Sequence, residues 1–172
     1  IVFERSESDL FAIDRELTAS YQNVKVTPVV GDIREYASVE RAIRTWRVSS
    51  IFHAAAYKHV PVMENHVLEA VKNNILGTRN LVEAAVANGV KNFLMISSDK
   101  AVNPTNVMGL TKRVAELLVS ARPNPEEGSQ TKFVSVRFGN VLGSNGSVVP
   151  LFREQIAAGG PVTVTHPEMR RY

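Results

Sequence analysis

The sequence predicts an α/β fold, a doubly wound parallel sheet with helices on both faces, and two observations carry that expectation. Short, continuously apolar runs alternate strictly with amphipathic stretches, the pattern of parallel strands buried on both sides and joined by crossover helices. Polar clusters recur where the apolar runs end: Glu4-Arg5-Ser6, Gly31-Asp32, His53-Ala54-Ala55, Ser97 to Lys100, and Gly139-Asn140. Sheets of this kind bind ligands beyond the carboxyl ends of their strands, so these clusters mark a candidate site.

Ile1-Val2-Phe3 reads as a short buried strand, and Ser8 to Leu17 as a helix expected to turn Leu10, Phe11, Ile13 and Leu17 inward. Lys25 to Val30 is a second strand, and Tyr36 to Trp46 a helix with Val39, Ile43 and Trp46 on one face. Ser50 to Ala56 is the third strand. Pro61 to Asn88 holds one long helix or two joined ones, with Gly89 as the stop signal. Asn92 to Ser97 is the fourth strand, Val107 to Ala121 the next helix, and Phe133 to Phe138 the fifth strand. Pro123 to Gly128 reads as a surface loop. A Gly/Ser/Asn loop, Gly143 to Ser147, leads to a helix at Val148 to Ala158 and a short strand at Val162 to Val164.

The chain has 172 residues, 44% hydrophobic and 22% charged, the balance of an ordinary globular domain. Net charge is +3 and the basic residues are scattered without aromatic interleaving, so no nucleic-acid partner is indicated. The absence of cysteine excludes disulfides and thiolate metal sites. His53, His59, His66 and His166 lack metal-ligand spacing with carboxylates, and no metal is expected. No apolar run reaches membrane-spanning length, so a membrane is expected only through segments outside this sequence.

No Gly-x-Gly-x-x-Gly loop occurs, although such a loop normally cradles a dinucleotide pyrophosphate. If Ile1-Val2-Phe3 is the second strand of the sheet, the first strand and its glycine loop lie before residue 1. In the strand order 3-2-1-4-5-6 that strand is central, and a gap in the sheet is expected. Residues 1–147 are then a partial nucleotide-binding domain, and residues 148–172 the beginning of a substrate-binding region.

Lys112 opens a helix beside the sheet edge, where a lysine can hold a cofactor ribose and bias a nearby hydroxyl toward ionisation. Alone it would read as a solvated lysine paired with Glu116 at i+4. Ser98-Asp99-Lys100 at the preceding strand end favours the functional reading. Asp99 and Lys100 offer an acid and a base side by side, as an elimination needs, provided the surroundings favour their neutral forms. A surface salt bridge is the plainer alternative. Asp32 could accept from an adenine amino group or simply form a turn. Ala54 and Ala55 are small where backbone must approach a cofactor, and they also suit tight packing. Asn74, poor in a helix interior, is expected to satisfy a buried backbone group. Asn140 and the glycine-rich loop after it, with Ser147 as N-cap, suit a nucleotide-sugar diphosphate.

Together the stretches "FERSE", "GDIR", "FHAAAYKHVP", "NNILGT", "SSDKAVNPTNVMGLTKR", "VRFGNVLGSNGSVVPLF" and "THPEMRRY" resemble the extended short-chain dehydrogenase/reductase family, with its Rossmann sheet. They are most similar to bacterial UDP-N-acetylglucosamine 4,6-dehydratases of capsule and O-antigen polysaccharide biosynthesis. The resemblance implies Ser98, Asp99 and Lys100 as catalytic hydroxyl, acid and base, and Lys112 as the ribose-binding lysine. It implies Asp32, Ile33, Ala54 and Ala55 as the cofactor wall, and Lys58 and Asn140 as substrate-facing. Such enzymes move hydride from sugar carbon 4 to tightly held, recycled NAD or NADP, eliminate water across carbons 5 and 6, and return the hydride to carbon 6. Glu4 would favour NAD through the ribose 2′-hydroxyl, whereas Arg5 and Ser6 would accommodate the 2′-phosphate of NADP.

Most of the family carries tyrosine where this sequence has Met108. A membrane-anchored subset is similar to this sequence in having methionine there. A UDP-sugar substrate, a homo-oligomer and a cytoplasmic location, or the cytoplasmic face of the inner membrane, follow as expectations. A sugar-nucleotide epimerase and a catalytically silent nucleotide-binding domain are the rival readings.

Overall fold

A computed structural model describes residues 1–122, 131–141 and 148–164. The expected loops at Pro123 to Gly128 and Gly143 to Ser147, and the stretch "THPEMRRY", lie outside the described residues. Contacts divide the chain into two units, Ile1–Arg137 and Phe138–Tyr172.

The first unit alternates strand and helix as the apolar pattern requires: β1 (Val2–Glu4), α1 (Glu7–Ser20), β2 (Pro28–Val30), α2 (Tyr36–Trp46), β3 (Ser50–His53), α3 (Val60–Asn65), α4 (Val67–Ala70), a π-helix (Val71–Gly77), α5 (Thr78–Ala87), β4 (Asn92–Ser98), a 3₁₀ turn (Asp99–Ala101), α6 (Val107–Ser120) and β5 (Lys132–Phe138). In the second unit α7 spans Val148–Ala157, and Gln155 bonds Thr163 through both its amide nitrogen and its carbonyl oxygen. Residues 162–164 are irregular, so the strand expected there does not form.

Among the described residues the strands make two sheets, β1-β2 and β3-β4-β5. β1 pairs parallel with β2, Phe3 opposite Val29, and β3 pairs parallel with β4, His53 opposite Met95. Read as 3-2 and 4-5-6, this is the doubly wound order, and the two sheets face each other across the position of its central strand. A largely apolar cleft of about 520 Å³ lies there, lined by residues of β1, α1, α2 and β3 including Phe3, Ile13, Ile43 and Phe52. The expected gap is therefore present.

The main core gathers Val39 and Ile43 of α2, Leu81, Val82 and Ala85 of α5, Phe93 and Met95 of β4, and Ala115 and Val119 of α6. Leu10 is buried as expected, but Phe11 and Ile13 are exposed. α1 packs on β1 and β2, which are three residues each, too short to cover the broad face that the helix presents. Trp46 is also exposed, standing in the last turn of α2 beyond the buried Val39, Ala42 and Ile43. The long helical stretch breaks into α3, α4, the π-helix and α5. It ends with Gly89 at φ 64°, where Val90 N–H bonds the Ala85 carbonyl in a glycine-stopped cap. No helix of the described residues is long and apolar enough to cross a membrane.

One contact fixes the end of β3 and another the turn after β4. His53, buried at the end of β3, sits 2.8 Å from Thr78 Oγ1, whose single proton goes to the Asn74 carbonyl at 2.6 Å. The ring must therefore donate from Nε2, which sets its tautomer. Gly109, in the first turn of α6, lies so close beneath the 3₁₀ turn that a Cβ would overlap the Lys100 carbonyl oxygen.

Burial, and secondarily the Lys112 ammonium, pushes the His53 imidazole down to about 3. The unfolded chain takes up this proton near pH 6.5 and the folded one only near 3. The contribution is full above 6.5 and is lost as pH falls through that window. Urea midpoints should drop by the equivalent of about 2 kcal/mol between pH 7 and pH 5, above the carboxylate range. His53→Gln should flatten that dependence; a wild-type midpoint constant across the interval would refute it. Gly109→Ala should cost about 1–3 kcal/mol by overpacking, seen in the same urea titration, because a backbone carbonyl cannot swing aside.

Candidate active site

β4 delivers its last residues into a compact polar turn. The Ser98 side chain accepts from Lys100 N–H at 3.2 Å and donates to Asp99 Oδ1 at 3.0 Å, and Lys100 Nζ donates to the same oxygen at 3.0 Å. The Lys100 hydrogen bond, aided by Ser98, holds the Asp99 carboxyl below the usual carboxylate range against a smaller opposing effect of burial. Both side chains are partly exposed, 52% for Asp99 and 38% for Lys100. The turn as it stands is thus an ion pair, whereas the sequence reading asked for a protonated acid. The Lys100 ammonium bonded to the carboxylate is the reason, and burial at this half-open turn is too slight to offset it.

α6 starts beside this turn. Asn106 caps it by accepting from Gly109 N–H at 2.7 Å, and Glu64 of α3 accepts from Val107 N–H at 2.8 Å. Two turns on, Lys112 is buried, 5% exposed, with its Nζ donating to the Ile96 carbonyl of β4 at 2.6 Å. Burial lowers its pKa to about 8, and the Glu116 charge opposes that shift. The helical Lys112–Glu116 ion pair weighed from sequence is replaced by other partners. Glu116 accepts from Arg137 Nε and NH2 at 2.8 Å each, and from Arg113 NH1 at 3.0 Å.

Met108 does not project into the open. It is 4% exposed and packs with Met63 and Ala70, with Tyr57, Val60 and Val107 against the cluster. A flexible thioether fills such a space readily. Behind it the π-helix buries Asn73 and Asn74 together. Asn74 accepts from Tyr57 N–H at 2.8 Å and donates to the Tyr57 carbonyl at 3.1 Å and to Thr111 Oγ1 at 3.0 Å. The expected structural role for Asn74 is met, and its object is the backbone just past β3.

At the ends of the other strands, Glu4 Oε1 accepts from the Arg5 and Ser6 amides at 2.7 and 2.8 Å, and Ser6 caps α1. Arg5 donates to Tyr57 Oη at 2.7 Å and lies 3.9 Å from Asp32. Arg34 grips both Asp32 oxygens, Nε donating to Oδ1 at 3.0 Å and to Oδ2 at 2.8 Å and NH2 to Oδ2 at 2.6 Å, and its hydrogen bond keeps that carboxyl low. Ile33 is buried, its carbonyl held by Asn80 Nδ2 at 3.0 Å. Ala54 is exposed and Ala55 half-buried, and Lys58 is exposed. Asn140 belongs to the second unit and is exposed.

Ser98, Asp99 and Lys100 are thus in mutual contact, Lys112 is anchored two residues before them, and Arg5 and Asp32 meet across the ends of β1 and β2. The roles of Tyr57, Arg34 and Arg137 were not read from the sequence. Among the described residues no cluster of three or more histidine or acidic side chains could hold a metal ion.

Comparison with known proteins places this arrangement. The model of the family described as "Polysaccharide biosynthesis protein" matches residues 1–172. The chain is 50% identical to the capsular polysaccharide biosynthesis protein CapD of Staphylococcus aureus, covering all of this chain and 28% of that protein. It is 39% identical to UDP-glucose 4-epimerase of Rickettsia rickettsii, over 99% of this chain and 48% of that one. Among solved structures, Pen from Bacillus thuringiensis is 43% identical with a TM-score of 0.87, over 98% of this chain and 52% of that one. The chain therefore spans between about a quarter and half of these relatives, and on the full-length family match it belongs to the polysaccharide biosynthesis protein family.

Proposed function

We propose that this chain carries the catalytic turn of an NAD(P)-dependent sugar-nucleotide 4,6-dehydratase, which removes water from a UDP-N-acetylhexosamine, UDP-N-acetylglucosamine first. The product is a 4-keto-6-deoxy sugar nucleotide for surface polysaccharide. The observation that carries the reading is the Asp99–Lys100 pair, 3.0 Å apart and half-open, next to the buried Lys112. An epimerase needs one proton shuttle at the oxidised hydroxyl and has no use for a second acid and base.

The residues fit a dinucleotide along the strand ends: a carboxylate at Glu4, small side chains at Ala54 and Ala55, the Asp32–Ile33 turn, and a nearly desolvated ammonium at Lys112. Arg5 and Ser6 would hold the 2′-phosphate of NADP. Bound there, NAD(P)+ supplies a reversible hydride acceptor.

The protein's own part is proton management. When the sugar covers the turn and excludes water, charge separation in the ion pair becomes costly. A proton shift from Lys100 Nζ to Asp99 Oδ1, along the existing hydrogen bond, leaves a neutral amine and a neutral acid. Lys100 then takes the carbon 5 proton, acidified by the neighbouring ketone. Asp99 gives its proton to the departing carbon 6 oxygen, and one water leaves. Ser98 orients the carboxyl. Lys58 and Asn140 are proposed substrate contacts. Met108 takes no proton, so the carbon 4 hydroxyl is served by Asp99, water or the substrate itself.

The epimerase reading is favoured by one fact, the 39% identity to a UDP-glucose 4-epimerase. Product mass separates the two. Incubation of the whole enzyme with UDP-N-acetylglucosamine and NAD+ or NADP+ should give a product lighter by one water in the mass spectrum. An unchanged mass with an inverted hydroxyl would make it an epimerase, and binding without turnover of any sugar nucleotide a silent domain. Lys100→Met should abolish water loss, at least about 10²-fold, as removal of a general base does. Met108→Leu should cost less than about threefold, because the position is filled for packing; the opposite ranking would sink the assignment.

A further inference from the structure

The Glu116 carboxylate is more heavily bonded than a packing role for α6 requires. It is 4% exposed, takes two hydrogen bonds from Arg137 and one from Arg113, and stands one turn after Lys112 on the same face of the helix. Arg137 and Arg113 are each about two-fifths exposed, so water screens the guanidiniums better than the acid they hold. A buried ammonium therefore has a fixed buried anion one turn away, and that anion is partly neutralised by Arg137 and Arg113.

We infer that Glu116 and Arg137 form a charge-setting pair for Lys112, Glu116 keeping the lysine protonated and Arg137 limiting how strongly it does so. The inference rests on the proposed role of Lys112 as the cation beside the cofactor ribose. Glu116 and Arg137 are positioning residues, acting through Lys112 without touching substrate.

The other ionisable groups around α6 have partners of their own. Asp99 and Lys100 bond each other on the 3₁₀ turn, and Glu64 of α3 caps Val107. Glu69 of α4 meets Lys72 of the π-helix at 2.8 Å, and Arg79 lies 3.8 Å from Glu83 on α5. His53 on β3 is buried and hydrogen-bonded as the neutral ring. Glu116 is thus the anion whose removal changes the charge next to Lys112.

The sign follows from the arrangement. Burial holds the lysine at about 8 with Glu116 present, so without that anion the ammonium is lost at lower pH. Unmasking the anion by removing Arg137 does the reverse. A residue that merely braces α6 against β5 would give both changes the same effect.

The experiment is a pH titration of the Lys112 side chain by NMR in lysine-labelled enzyme, assigned with Lys112→Met. Glu116→Gln should lower the Lys112 midpoint by about one unit, and Arg137→Gln should raise it. Arg137→Lys, which keeps the charge, should leave it near the wild-type value. Glu116→Asp, the variant expected to fold if Gln does not, should shift it by less than Gln. Shifts of the same sign in Glu116→Gln and Arg137→Gln, or no shift in either, would overturn the inference and leave the pair a brace. This readout needs no turnover, so opposite shifts in an enzyme that does not dehydrate UDP-sugars would sink the reaction assignment alone.

Discussion

The side-chain amide of Asn74 is the interaction on which the rest of the site depends. It meets the Tyr57 amide and carbonyl together and reaches Thr111 on α6, while its carbonyl oxygen also accepts from Asn73. One buried group thereby joins the chain leaving β3, the helical segment that follows and the helix carrying Lys112. Without those bonds two half-buried Tyr57 backbone groups would lose their partners, which costs more than an ordinary hydrogen bond gains. The π-helix is the local adjustment that goes with it. An extra residue in the turn changes which side chains face inward, and both Asn73 and Asn74 are inward here.

From that anchor the division of labour is clear. Apolar packing of α2, α5, β4 and α6 fixes the platform, and polar contacts decide only what happens at the strand ends. The turn after β4 is placed by backbone proximity to Gly109, the lysine by a carbonyl of β4, and the α6 start by two caps. Met108 belongs to a second, smaller apolar cluster with Met63 and Ala70, apart from that platform.

Much of this was legible in the sequence. α2 runs from Tyr36 to Trp46 as the periodicity predicts, Gly89 stops α5, and the gap between β1 and β3 follows from the absent glycine loop and the strand order. The misses have physical causes. Amphipathicity of α1 was read as a fully buried face, but burial depends on how much sheet lies underneath, which periodicity does not encode. The π-helix leaves no composition signal. A proton on Asp99 was made conditional on surroundings that favour the neutral form, and here the Lys100 hydrogen bond holds the carboxyl low. Glu116 pairs with Arg137 of β5, a strand whose alignment beside α6 is set only by the tertiary fold.

Among the described residues β1 and β3 each carry one edge outside any hydrogen-bonded ladder, beside the cleft, and Phe52 of β3 is 77% exposed there. An open parallel edge with an aromatic side chain is a template for a further parallel strand, and the order 3-2-1-4-5-6 gives that place to its central strand.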